Sequence, residues 1–146
     1  MTKRTLLIAA VVVFTAGCDE KLSDIAGPTP NLAPTFSSIQ REIFGAGDSS
    51  GRPACINCHN PQFAFFNGNL NLSATTAYAQ LVNTRSSGKA GATRVIPGDP
   101  NGSYLIQKLE GTPGIVGQRM PMTGPFLSPG QIAIIRRWIQ EGALNN

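Results

Sequence analysis

Histidine and cysteine are scarce in this chain, with one His and three Cys in 146 residues. A single histidine excludes any centre that draws two imidazoles from one chain. It also excludes a histidine base working beside a histidine ligand. Three cysteines are too few for a disulfide-dense scaffold. No apolar run approaches the roughly 20 residues needed to span a bilayer as a helix. Outside Lys3 and Arg4 there is no block of basic residues, so the sequence gives no nucleic-acid signal despite a pI near 9.3. Few segments alternate with strand period, which argues against an all-β chain.

Turn formers are abundant, with 16 Gly and 11 Pro, and point to short helices joined by long, specific loops in one domain. Lys3 and Arg4 are followed by the apolar run Leu6 to Phe14 and then Thr15-Ala16-Gly17-Cys18. A positive start, a short apolar stretch and small residues read as an export signal. Small residues directly before Cys18 resemble the bacterial lipobox, in which that cysteine is lipidated after cleavage. An ordinary signal peptide, with Cys18 as an exposed free thiol, is the plainer alternative. Residues 1–17 are thus expected to be a lipoprotein signal, and residues 18–34 a lipidated cysteine followed by a flexible, Pro-containing tether. Residues 35–146 are expected to form the domain. Loss of Lys3 and Arg4, with no acid, lowers the formal charge from +4 to +2.

Four helices are expected. The first starts near Thr35, with Phe36, Ile39, Ile43 and Phe44 on one face, and ends at Gly45 and Gly47. A second is capped by Ser73 and turns Tyr78, Leu81 and Val82 inward. A third starts at Asp99-Pro100-Asn101, carries Tyr104, Leu105 and Leu109, and is closed by Gly111. The last opens on Ser128-Pro129-Gly130-Gln131, a capping box with Pro at the first helical position. Ile132, Ile135, Trp138 and Ile139 form its buried stripe, Leu127 and Ile132 its staple, and Gly142 its stop.

Cys55-Ile56-Asn57-Cys58-His59 is the attachment signature of c-type haem. Two thiols three positions apart reach the two vinyl groups on a porphyrin edge, and the adjacent imidazole reaches the iron. The second ring nitrogen of His59 is expected to donate to a backbone carbonyl within residues 60–72. Half of a zinc site is an alternative, but a closed site takes four ligands, and this chain has one other Cys and no other His. A thioredoxin-like redox pair needs a strand-helix context that is not visible. With His59 spent, methionine is the usual sixth ligand of such an iron. Loss of Met1 with the signal leaves Met120 and Met122. Met120 is favoured because Pro121 confines it to an extended backbone; Met122 is the second choice, and packing against the haem edge is the alternative for both.

With Cys55 to His59, residues 95–111 (VIPGDPNGSYLIQKLEG), Arg119-Met120-Pro121 and residues 127–143 (LSPGQIAIIRRWIQEGA), the chain resembles class I cytochrome c domains. The likeness is nearest to small lipoprotein-type or planctomycete-type cytochrome c domains and covers roughly residues 35 to 143. It implies an all-α, cytochrome c-like fold of about four short helices and long loops around one covalent haem c. In it, His59 is the proximal and Met120 the distal iron ligand. The first and last helices cross, with Trp138 packing where Phe44 meets Gly45. Arg52, Arg94 and Arg119 are candidate partners for the haem propionates. Phe63, Phe65 and Phe66 would line the pocket or form a docking lip.

The implied function is one-electron transfer between membrane or periplasmic redox proteins by an exported, lipid-anchored carrier. It is not an enzyme, and it has no small-molecule substrate. A ligand sensor or peroxidase-like protein with a displaceable Met, or an accessory haem subunit of a membrane oxidoreductase, are the competing readings.

Overall fold

The computed structural model describes residues 27–146; the expected signal, residues 1–17, and Cys18 lie outside the described residues. The architecture among the described residues is all-α. Four helices, α1 (Phe36–Ile39), α2 (Ala77–Leu81), α3 (Tyr104–Glu110) and α4 (Pro129–Gln140), are joined by long loops. Short 3-10 turns occur at Cys55–Asn57 and Ala64–Phe66. The only sheet-like pairings among these residues are the isolated bridges Val82–Val95, Arg85–Thr93 and Ile96–Asp99. None of the described helices is long and apolar enough to cross a membrane.

Thr35 caps α1 by accepting from the Ser38 amide. The helix then runs into a π turn, Gln40–Phe44, closed by a 2.8 Å bond from the Gly45 amide to the Gln40 carbonyl. Phe36, Ile39, Ile43 and Phe44 are all buried, as their spacing predicts. The wide last turn is a local irregularity that periodicity does not reveal.

Two helix starts differ from expectation. Ser73 does not cap α2 with its side chain; its carbonyl instead closes the preceding turn by accepting from Thr76 and Ala77. Asp99 does not begin α3. Its carboxylate holds the Gly102 amide in a turn (2.9 Å), and the helix starts after Ser103. Both residue types also favour local turns, and here that competing use prevails. Gly111 does end α3, in the left-handed conformation (φ 72°) that a side chain would resist.

The capping box of α4 is present as expected. Ser128 Oγ accepts from the Gln131 amide (3.1 Å), and Gln131 Oε1 accepts from the Ser128 amide (2.8 Å). Ile132, Ile135, Trp138 and Ile139 are buried, with Ile134 and Leu127 added to them. Trp138 meets Phe36 (5.7 Å between centroids). A side chain at Gly45 would meet the Gln40 carbonyl of its own turn, not Trp138. The aromatic partner of Trp138 thus sits at the opposite end of the first helical segment from the one expected.

The terminal segments embrace this pair of helices. Tyr78 lies edge-on to Phe36 and donates to the Ala143 carbonyl (3.0 Å). The Phe36 and Ser37 amides donate to Asn146. At the other end, residues 29–34, expected as the last part of the tether, are packed on the domain. Leu32 is 2% exposed, within the core, and Thr29 is buried with its hydroxyl accepting from Gln131 Nε2 (3.1 Å). The Leu32 amide donates to the Thr29 carbonyl, and the Ala33 amide donates to Ser38 Oγ.

Candidate functional site

The motif occupies one tight turn. The Cys58 amide (3.2 Å) and the His59 amide (2.9 Å) both donate to the Cys55 carbonyl. In a 3-10 turn, side chains three apart eclipse one another, so Cys55 and Cys58 share one edge. Both thiols are free. They are not equivalent: Cys58 is exposed, whereas Cys55 is half-buried and donates to the Ile43 carbonyl (3.4 Å) at the end of the π turn. Burial pushes the Cys55 thiol up to about 11, against the opposing pull of the Arg52 charge.

The loop after the motif holds this turn from below. Asn60 Nδ2 donates to the Ile56 carbonyl (2.9 Å), and Asn67 Nδ2 donates to the Cys58 carbonyl (2.9 Å). The His59 carbonyl accepts from the Leu72 amide (2.8 Å), whose own carbonyl accepts from Gln40 (2.9 Å). Asn60 and Asn67 are missed by a reading focused on ligands. The Asn60-Pro61 pair carried the signal, since Asn before Pro favours a side-chain-closed turn.

His59 Nδ1 is buried with no hydrogen-bond partner. Burial pushes the imidazole pKa down. The backbone of Leu70 and Asn67, inside the expected 60–72 stretch, opposes this, while the charges of Arg94 and Lys108 reinforce it. The Leu70 backbone thus acts on the ring from within the stretch where the acceptor is expected, although no hydrogen bond to Nδ1 is formed. The net effect favours a neutral imidazole, the form that binds a metal.

Lys108 connects this region to the methionine loop. Its Nζ donates to the Val116 carbonyl (2.9 Å) and to that of Gln118, and its own carbonyl accepts from the Met120 amide (2.9 Å). Met120 is half-buried against the core. Met122 is 61% exposed.

The three candidate arginines have other duties. Arg52 is buried and uses all its donors on Asp48, Glu42, Ile43, Ala46 and Pro53, leaving none for a propionate. Arg94 is buried and ties the Gln80, Gly68 and Asn69 carbonyls together. Arg119 donates to the Leu109 carbonyl and stacks 4.0 Å over the Phe126 ring. Phe63, Phe65 and Phe66 are exposed, the latter two edge-to-face at 5.4 Å.

Asp48 is the buried partner of Arg52, its side chain 1% exposed. Burial alone would raise its pKa, but hydrogen bonds from Ser50, Gln131 and Arg52 outweigh this and bring it down to about 2. Because the folded value lies below the unfolded one, near 3.9, the unfolded chain binds more protons between them. The stabilisation is thus complete above pH 4 and lost as pH falls towards 2. Denaturant unfolding across pH 5 to 2 is expected to show wild type losing about 2 kcal/mol through this window, a loss that Asp48→Asn does not show.

Among the described residues no three His, Cys, Asp or Glu side chains gather as a metal-ion cluster. Of two surface grooves, of about 600 and 510 Å³, the first is lined in part by Ile56 of the motif, and neither is lined by Cys55, Cys58, His59 or Met120. Comparison with protein-family models, curated proteins and solved structures found no match for this chain.

Proposed function

We propose that this chain is a c-type cytochrome with a cytochrome c-like fold, carrying one covalent haem and serving as a one-electron carrier. The observation that carries the reading is the Cys55–His59 turn. It presents two free thiols on one edge and, in the adjacent position, a half-buried imidazole.

When bound, the haem supplies an iron that cycles between ferrous and ferric states. Cys55 and Cys58 would hold it to the chain by thioethers. His59 would ligate the iron, its buried Nδ1 being left to face the loop backbone. Met120, whose amide donates to the Lys108 carbonyl, would supply the second ligand. An iron ligated by both residues would favour electron transfer over substrate chemistry. Export and lipidation at Cys18 would hold the carrier at a membrane surface facing the periplasm or cell exterior. Its partners there would be other redox proteins.

The test is the intact mass of full-length chain expressed through an exporting, haem-attaching host. Wild type is expected to carry the mass of one haem and to give haem-dependent peroxidase staining on a denaturing gel. Cys55→Ser/Cys58→Ser is expected to lose both. Wild-type material at the mass of unmodified polypeptide, or with lipid alone, would overturn the proposal.

A further inference from the structure

The least expected feature around the motif is a fully buried guanidinium just ahead of it. The Arg52 side chain is 0% exposed. Nη1 donates to the Ile43 (3.1 Å) and Pro53 (2.9 Å) carbonyls, and Nη2 to those of Glu42 (3.1 Å) and Ala46 (3.0 Å). Nε donates to Asp48 Oδ2 (2.9 Å), which also accepts from Gln131 Nε2 (2.9 Å) of the α4 capping box. One side chain thereby joins the π turn, the 46–53 loop and, through Asp48, the last helix. The π turn supplies the arrangement, because its end leaves the Glu42 and Ile43 carbonyls open to a guanidinium.

Arg52 and Cys55 meet on the same atom, since the Ile43 carbonyl accepts from Arg52 Nη1 and from Cys55 Sγ. The loop between them is closed tightly. The Asp48 amide donates to the Arg52 carbonyl, and a Cβ at Gly47 would lie 2.6 Å from that same oxygen. Only glycine permits this approach.

Resting on the reading of a haem-attachment turn, we propose that Arg52 is a positioning residue for attachment. Its grip on the end of the first helical segment and on Pro53 sets where Cys55 stands relative to Cys58, and so whether both thiols reach their vinyl groups. Each thioether forms by addition of S–H across one vinyl group: sulfur bonds the carbon nearer the ring and hydrogen the outer one, with no oxidant or reductant consumed. Exposed Cys58 needs no such placement; half-buried Cys55 does.

The test compares full-length chains from the same exporting host. The readouts are the fraction bearing haem through two thioethers, obtained from intact and peptide mass together with the alkaline pyridine absorption maximum, and the melting temperature. Arg52→Lys keeps the charge beside Asp48 but lacks the planar fork that reaches four carbonyls. Its doubly attached fraction is expected to fall at least threefold, the remainder being held through Cys58 alone. Ile134→Ala, a buried substitution on α4 away from this network, is the control for stability. At an equal or lower melting temperature it is expected to keep the wild-type fraction. Gly47→Ala displaces the Arg52 backbone without removing its charge and is expected to reproduce the Arg52→Lys loss; it decides the matter where Arg52→Lys yields no folded protein. Doubly attached fractions in Arg52→Lys or Gly47→Ala equal to that of Ile134→Ala would overturn the role of Arg52 while leaving the haem reading intact. A wild type without haem would overturn the reading itself.

Discussion

Met120→Ala is expected to abolish the methionine–iron charge-transfer band of the oxidised protein and to let the reduced protein bind carbon monoxide rapidly. Met120 is the methionine that the fold holds in place: half-buried against the core, with its amide on the Lys108 carbonyl. Met122, only two positions on, is 61% exposed, and Met122→Ala is expected to leave both spectra unchanged. Axial ligands tune haem potentials over roughly 0.8 V. Loss of a thioether ligand is expected to lower the midpoint by an amount on the order of 0.1–0.3 V within that range. Absorption spectra and a redox titration of the two variants settle the assignment. A band lost in Met122→Ala and kept in Met120→Ala would reverse it, and rapid CO binding by wild type would favour a sensor over a carrier.

The largest loss of stability is expected from Trp138→Ala. The indole is 1% exposed, packs on Phe36, and donates through Nε1 to the Leu144 carbonyl (2.9 Å). Truncating a buried tryptophan costs about 3–5 kcal/mol, against a total stability of about 5–15 kcal/mol for a typical domain. The same change releases residues 143–146, whose Asn146 accepts from the Phe36 and Ser37 amides at the start of α1. Denaturant unfolding is therefore expected to show a midpoint far below wild type, with Trp138→Phe recovering much of the difference by restoring the ring contact. A loss under about 1 kcal/mol in Trp138→Ala would mean that the indole does not join the two helices.

Features written in neighbouring residues were legible in the sequence. The α4 capping box needs only Ser128 and Gln131, the stop after α3 only Gly111, and the buried face of the first helix only the spacing of Phe36, Ile39, Ile43 and Phe44. The Cys55–His59 motif and the two candidate methionines are read from residue type and spacing alone, which do not reveal the 3-10 turn that carries the motif. What escaped depends on groups that only the fold brings together. Arg52 reads as a free cation suited to an anion, because its actual acceptors are backbone carbonyls with no sequence signature. Leu32 is a lone apolar residue among prolines, without periodic companions to mark it as core. Ser73 and Asp99 carry signals shared by helix caps and turns, so their identity alone does not decide between the two. Trp138 was expected beside Phe44 and Gly45, and only the packing shows its ring against Phe36.

The burial of Thr29 and Leu32 has a consequence for where such a carrier can work. Under the proposed lipidation, the stretch from Cys18 to Thr29 is all the leash that remains. Even fully drawn out, it spans no more than roughly 40 Å, about two thirds of the roughly 60 Å that a free run from Cys18 to Thr35 would reach. The haem-bearing body would thus sweep a shallow zone close to the lipid surface. Electron donors and acceptors seated in that same bilayer fall within its radius, whereas partners across a wide aqueous gap do not.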